Sequence, residues 1–166
     1  MKKAILAEFE HEAASTRKML ERVPVEKITW APHDKSMTLD KIARHITNLP
    51  LWITTTLTTD ERDFATTPSP AVPAYNSGEE LAKHFDKNVA DAKAALENVN
   101  EEDFEKLYVL RAGEKVFYNE PKGRIIRNFA LNHMVHHRGQ LSVYLRLLDV
   151  PVPGMYGPSA DEARPA

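Results

Sequence analysis

Residues 132–148 read NHMVHHRGQLSVYLRLL, and this stretch decides how the chain is interpreted. His133 and His137 are four residues apart, so on an α-helix their side chains lie one turn apart on the same face. Apolar residues at helical spacing share that face, which predicts that both imidazoles point into the protein interior. The apolar residues are Ile126, Phe129, Ala130, Leu141, Tyr144, Leu145 and Leu148.

Two buried imidazoles need partners, because a buried polar nitrogen left unpaired costs about 1–3 kcal/mol. The partner of each ring could be a carboxylate, a backbone carbonyl, a water molecule or a metal ion. A single HxxxH motif is common by chance, and it therefore leaves two interpretations open. His133 and His137 form either a hydrogen-bonded pair in the core or part of a metal site.

A second segment, SMTLDKIARHITNLPLW at residues 36–52, favours the metal site. At about 100° per residue, His45 lies on the flank of an apolar helical stripe and not on its solvent side. If this helix packs against the last one, three histidines converge. Three protein nitrogens with one open position are typical of a catalytic metal site. The stripe consists of Leu39, Ile42, Ile46, Leu49 and Ile53.

Specific motifs occur at residues 45–52 (HITNLPLW), 133–141 (HMVHHRGQL, followed by YLR) and 151–162 (PVPGMYGPSADE). With these motifs the chain resembles the DinB/YfiT-like family of four-helix metalloenzymes over nearly its whole length. The resemblance implies that His45, His133 and His137 are the metal ligands and that the protein is a homodimer. Three imidazoles suit Zn, Ni or Fe, and Zn is the most common occupant of such sites.

The resemblance also implies hydrolase or thiol S-transferase chemistry, since relatives include bacillithiol-type transferases and mycothiol-dependent isomerases. We therefore expect a metal-dependent enzyme that activates water or the thiol of a small-molecule cofactor. The chain has no cysteine, so a reactive sulfur would belong to that cofactor. No Asp or Glu lies within HMVHHRGQL, so the sequence offers no general base and peptidase activity of the HExxH type is not expected.

Two functions of other classes stay open on the sequence. One is a non-catalytic metal-binding protein, for example in a stress response, and the other is a binding module for a hydrophobic small molecule. A fourth protein ligand would favour the non-catalytic role because it closes the coordination shell. Asp161 and Glu162 in the tail are the residues that could supply it.

The residues next to His133 and His137 are expected to have other roles than these two histidines. His136 is interpreted as a residue flanking the ligands, with replacement of a ligand as the alternative. Gln140 either orients a ligand or water, or is a buried amide bonded to a neighbouring helix. Arg138 points away from the two histidines and is expected to form a structural ion pair or an interface. Gly139 indicates a close helix approach, such as a dimer contact.

Asn48, Trp30 and Trp52 are three further residues whose position relative to the site can be predicted. Asn48 lies one turn from His45 but further from the apolar face, which favours exposure to solvent. Trp30 and Trp52 could line a substrate cavity, but large aromatic side chains are more typical of the core.

The composition agrees with one domain spanning residues 1–166. The chain has 166 residues, 42% of them hydrophobic, and a formal net charge of −2. This charge gives no basic surface for nucleic acid or an anionic membrane, and the expected partner is a small-molecule substrate. Acidic residues from Glu8 onward interrupt the first apolar run, so we expect no signal peptide, no transmembrane span and a cytoplasmic location.

The periodicities predict an all-α four-helix bundle with a long crossover loop. The expected helices are Lys3–Val23, Thr38 into the fifties with a bend at Pro50, Ser77–Val99, and a last helix from after Pro121 to about Leu148. The proline-rich residues 65–78 are predicted to form the crossover, and residues 150–166 a non-helical tail. Residues 107–119, LYVLRAGEKVFYN, indicate a small hairpin or lid turning at Ala112 and Gly113.

Overall fold

The computed structural model describes residues 1–162. Most of this part of the chain is helical. The α-helices are α1 (Lys2–Leu20), α2 (Leu39–Asn48), α3 (Leu51–Thr58), α4 (Gly78–Asn98), α5 (Lys122–Ile126) and α6 (His133–Leu147). Short 3₁₀ turns occupy Val25–Lys27 and Glu101–Glu105, and a π-helical turn occupies Arg127–Asn132.

The predicted four-helix bundle is confirmed, with α2 and α3 forming its second helix and α5 to α6 its fourth. Helix α2 packs against α4 and α6, and α1 packs against the same two helices from the other side. The side chains between the helices form one apolar core, in which the following are fully buried: Phe9, Ile42, Phe85 and Leu141. The amphipathic periodicity of each helix is sufficient to explain this arrangement.

The second helix bends at Pro50, as predicted. Helix α2 begins after Thr38, whose hydroxyl oxygen accepts a hydrogen bond from the Lys41 amide at 3.3 Å, and it ends at Asn48. Helix α3 begins at Leu51, directly after the proline. Proline has no amide hydrogen and its ring collides with the preceding turn, which is why the regular helix is interrupted here.

The fourth helix is less regular than the sequence suggests. The predicted extent of the fourth helix is confirmed, but between α5 and α6 the turn Arg127–Asn132 is π-helical. A π-helical turn rotates the side chains that follow it around the helix axis by a fraction of a turn, and such turns often occur at functional sites. In this chain the π-turn ends immediately before His133, so it helps to set the direction in which the following histidines point.

A three-stranded sheet packs at one end of the bundle. Strands β2 (Leu107–Ala112) and β3 (Lys115–Pro121) form the predicted hairpin, with Gly113 in the turn at φ 58°, a conformation that suits glycine. Strand β1 (Glu61–Asp63) pairs with β2 in parallel and was not predicted. The fold is therefore mostly helical and not strictly all-α as expected. A strand of three polar residues carries no alternating pattern that could reveal it.

The long loop between β1 and α4 contains neither helix nor strand at residues 65–76, in agreement with the predicted crossover. Helix α4 begins after Ser77, whose hydroxyl oxygen accepts a hydrogen bond from the Glu80 amide at 3.1 Å. No helix within residues 1–162 is both long and apolar enough to cross a membrane.

The C-terminal tail is tied to the bundle by Arg138. This arginine is only 2% exposed and pairs with Glu12 of α1 at 2.6 Å, which confirms its predicted role in a structural ion pair. Its Nη2 also donates to the hydroxyl of Tyr156 in the tail at 2.6 Å. Residues 150–162 form no helix, as predicted, and the prediction for residues 163–166 lies outside the described residues.

Gly139 does not mark a close approach of helices within the chain. A methyl group built on it would meet no atom within 4 Å apart from its own helix and neighbours. The expectation of a close contact is therefore wrong for the single chain, and the dimer contact stays a prediction.

Candidate metal centre

Packing of α2 against α6 brings His45, His133 and His137 together at one end of the bundle. The Nε2 atom of His133 lies 3.2 Å from the Nε2 atom of His45 and 2.9 Å from the Nε2 atom of His137. Ligand atoms of all three rings lie within 4.8 Å of one another. His137 is buried, with 7% exposure, and the other two rings are half-buried.

The outer nitrogen of His137 is held by another group. His137 Nδ1 lies 2.7 Å from Gln140 Oε1, and because this oxygen can only accept, Nδ1 carries the proton. The Nε2 atom of His137 therefore presents a lone pair toward the Nε2 atom of His133, 2.9 Å away. At this separation either an N–H of His133 or a cation lies between the two nitrogens.

The electrostatic environment keeps the three rings neutral. Burial, followed by the neighbouring His137 and His133, lowers the pKa of His45 to about 4. Burial is also the main cause that lowers the pKa values of His133 and His137, although the Gln140 hydrogen bond acts in the opposite direction on His137. At neutral pH all three imidazoles are thus in the form that binds metal ions.

These features fit a divalent metal ion. Three neutral imidazoles converge, and the hydrogen bond from Nδ1 of His137 to Gln140 leaves Nε2 of that ring free, as is usual for metal-bound histidine. Within residues 1–162, the histidine trio is the only group of metal-binding residue types found this close together. The cluster is therefore compatible with metal binding.

The tail carboxylates do not complete this cluster. Asp161 pairs with Arg146 and accepts from the Val152 amide, while Glu162 accepts from the Gly154 amide at 2.8 Å. Both lie in the exposed tail, so the suggestion that they close a coordination shell is wrong for this conformation. Neither carboxylate has a contact with the histidines.

A cleft of about 200 Å³ opens beside the cluster and has His45 and His133 in its wall. The wall is largely apolar and, within residues 1–162, contains no carboxylate, so the described residues offer no carboxylate as a general base. The remaining lining residues are Asn48, Leu49, Leu51, Trp52, Arg62, Phe64, Ser69 and Pro70.

One prediction about this wall needs correction. Asn48 is half-buried, not solvent-exposed, and its amide donates to the Pro70 carbonyl at 2.7 Å, because the crossover loop folds back over α2. Trp52 packs partly against the core and also lines the cleft, so it has both of the roles that the sequence left open. Trp30 does pack at the core as expected, edge-on to Tyr144 with ring centroids 5.6 Å apart.

His136 and Gln140 lie next to the histidine cluster without joining it. His136 is exposed and contacts His137 ring to ring, with centroids 4.8 Å apart, but it is not part of the converging group. Gln140 is exposed and orients His137, so the alternative of a buried amide bonded to another helix is wrong.

Sequence reasoning missed Arg62 and Phe64, which lie in and directly after strand β1. The segment Glu61–Phe64 resembles an exposed charged turn, and nothing in its composition indicates a cleft wall. Only its pairing with β2 carries these side chains to the histidines.

The comparisons with known proteins agree with this architecture. An uncharacterized protein, YrdA of Bacillus subtilis strain 168, is 27% identical over 157 residues, covering 95% of this chain and 89% of the relative. A DinB-like protein structure from Bacillus cereus ATCC 10987 superposes with a TM-score of 0.70 at 25% identity, covering 93% of this chain and 97% of the other.

A second solved structure, the DinB-like protein YjoA of Bacillus subtilis, has a TM-score of 0.69 at 17% identity and shares the fold. The superposition covers 97% of this chain and 99% of the YjoA chain. The model of the DinB family matches residues 1–165. By its sequence, and in agreement with its fold, this chain belongs to the DinB family.

Proposed function

We propose that the protein binds one divalent metal ion through Nε2 of His45, His133 and His137 and uses it to activate water or a small-molecule thiol. The reaction class is hydrolysis or thiol S-transfer on a small-molecule substrate. The observation that carries the proposal is the convergence of three neutral imidazole nitrogens, two of them facing each other at 2.9 Å, beside an apolar cleft. Zn suits this donor set best, and Ni and Fe also fit it.

A divalent ion on three imidazoles lowers the pKa of a bound water toward about 7, and it favours the thiolate of a bound thiol in the same way. The protein supplies the orientation of the donors. Gln140 holds the proton on Nδ1 of His137. Trp52 and Phe64 contribute apolar surface to the cleft.

The catalytic role is favoured over a structural one by what surrounds the cluster. A structural zinc site is normally closed by four protein ligands. Within residues 1–162 only three converge, and the tail carboxylates that could have been a fourth are engaged elsewhere. A position facing the cleft would thus be left for water, thiol or substrate.

The metal site is tested by elemental mass spectrometry on untagged protein purified without added metal. We expect about one metal ion per chain in the wild type and a loss of most of it in His45→Ala and in His133→Ala. His136→Ala is the matched control, because it removes a neighbouring imidazole outside the cluster and should keep the metal. Full metal in His133→Ala, or none in the wild type after reconstitution with Zn or Ni, would refute the assignment. The second result would favour the binding-module alternative.

The open position is tested with cobalt-substituted protein and 2-mercaptoethanol as the thiol. If a ligand can enter from the cleft, a sulfur-to-cobalt charge-transfer band should appear in the near ultraviolet and saturate with thiol. An unchanged spectrum would instead indicate a closed coordination shell and a non-catalytic role. The absence of protein thiols makes the band specific for the added compound.

A further inference from the structure

Arg62 is a buried arginine without an anionic partner in the wall of the cleft. Its side chain leaves the residue only 8% exposed, and its Nε atom is buried with no hydrogen-bond partner. Its only polar contact within residues 1–162 is a long one, 3.5 Å from Nη2 to the hydroxyl oxygen of Ser69. A charged donor left unpaired in the interior is costly, so such groups normally find a counter-ion.

The two acidic residues next to Arg62 in the sequence form ion pairs with a different arginine. Glu61 and Asp63, on either side of it in β1, each pair with Arg111 at 2.7 Å. Arg138, the other buried arginine among residues 1–162, is fully paired with Glu12 and Tyr156. Arg62 therefore differs from a structural arginine such as Arg138, because it has no carboxylate partner within residues 1–162.

The guanidinium is held in place by aromatic rings. Its central carbon lies 5.1 Å from the ring centroid of Trp52 and 5.5 Å from that of Phe64. Cation–π contacts of this kind partly offset the burial of the charge, but they supply no acceptor for Nε, and Nη2 has only the long contact to Ser69 within residues 1–162. The two rings thus orient the guanidinium while its hydrogen-bonding capacity stays largely unused.

We propose that Arg62 binds the carboxylate of a small ligand whose apolar or aromatic body lies against Trp52 and Phe64. A planar guanidinium matches a carboxylate with two parallel hydrogen bonds. Among residues 1–162, Arg62 is the only lysine or arginine that lines the cleft, which favours a singly charged carboxylate over a phosphate dianion. The cleft volume of about 200 Å³ sets the scale of the ligand.

Arg62, His45 and His133 line the same cleft, so a ligand anchored at Arg62 would be oriented relative to the histidine cluster. This orienting role in catalysis rests on the proposed function. The binding of the carboxylate by Arg62 does not, since it needs no metal. Arg62 is accordingly a specificity residue, and the proposal can be tested on metal-free protein.

The probe is benzoate, with neutral benzamide of the same shape as its match, titrated against the full-length chain. The chain has two tryptophans, so Trp30→Phe leaves Trp52, which contacts the guanidinium, as the fluorescent reporter. We expect saturable quenching by benzoate and little by benzamide. Arg62→Met should weaken benzoate binding at least about tenfold, the effect of losing charged hydrogen bonds.

Arg124→Met is the matched control, because it removes the same charge from an exposed arginine outside the cleft and should not alter binding. Arg62→Lys, which keeps the charge but not the fork, should bind benzoate several-fold more weakly. If Arg62→Met does not fold, Arg62→Lys provides the test of the proposal in its place. Equal binding of benzoate and benzamide, or wild-type benzoate affinity in either folded Arg62 variant, would overturn the proposal. Stronger binding of inorganic phosphate at equal ionic strength would overturn the carboxylate assignment.

Carboxylates also bind metal ions, so the titration is run on protein as purified, after chelation, and on His133→Ala. Benzoate binding that persists without metal and depends on Arg62 supports the inference even if the metal proposal fails. Binding that is lost in His133→Ala but kept in Arg62→Met would place the carboxylate on the metal. That result would overturn the inference and leave the proposed function standing.

Discussion

Replacing Gln140 with alanine is expected to weaken metal binding about tenfold without unfolding the protein. Gln140 is the described side chain that holds the outer nitrogen of His137, through a contact of 2.7 Å. Removing such a partner commonly costs 10- to 100-fold in affinity, at about 1.4 kcal/mol per factor of ten. Because Gln140 is exposed, water can take the place of its oxygen, which sets the expected loss at the lower end.

The assay is a competition titration of metal-free protein against a chromophoric zinc indicator at neutral pH. Gln140→Glu is the decisive comparison, since a carboxylate keeps the acceptor and should hold the affinity at or above that of the wild type. Ser142→Ala is the control, because this hydroxyl bonds only to the Gly139 carbonyl on the same helix. An affinity of Gln140→Ala within about twofold of the wild type, or an equal loss in Gln140→Glu, would refute the argument for ring orientation.

Three further results are expected, each with its own measurement. Arg138→Met leaves the buried Glu12 carboxylate without its cationic partner, although the Tyr156 hydroxyl still donates to it. The variant should lower the free energy of unfolding by about 3 kcal/mol in urea denaturation, and a change below about 1 kcal/mol would contradict the buried pair. Because the pKa of His45 falls from 6.5 unfolded to about 4 in the fold, the unfolded chain binds more protons between these values. The stability of metal-free protein should therefore decline as pH falls through that interval, with a shallower decline in His45→Gln; identical pH profiles would contradict the shift. Gly139→Ala should stabilise the helix by up to about 1 kcal/mol in thermal unfolding, whereas Gly78→Ala, whose methyl would overlap the Glu21 carbonyl, should destabilise the fold. Destabilisation by Gly139→Ala, with a loss of dimer in light scattering, would instead indicate that this glycine lies in a dimer interface.

The parts of the site that could be predicted are those set by local helix geometry. His133 and His137 face the same way because any α-helix repeats every 3.6 residues. Gln140 follows His137 by three residues and is for the same reason within reach of its ring. The bend after Asn48 is likewise local, because Pro50 cannot continue the hydrogen-bond pattern in any context.

The wall of the cleft could not be predicted, because it depends on contacts between distant segments. Asn48 was expected in solvent, but the crossover loop returns to place the Pro70 carbonyl on its amide. Strand β1 forms because Glu61–Asp63 pair in parallel with residues 109–111 of β2. Three polar residues have no strand preference strong enough to reveal such a pairing.

The sequence by itself thus determined the four helices, the bend, the hairpin and the two histidines of the last helix, since each follows from periodicity or from the stereochemistry of one residue. The tertiary structure decided that His45 joins them, that the tail carboxylates do not, and that an unpaired Arg62 lies in the same cleft. These are consequences of how α2, α6 and the sheet pack. The packing energy is the sum of many weak contacts between segments far apart in the chain, and it cannot be read from the sequence of any one segment.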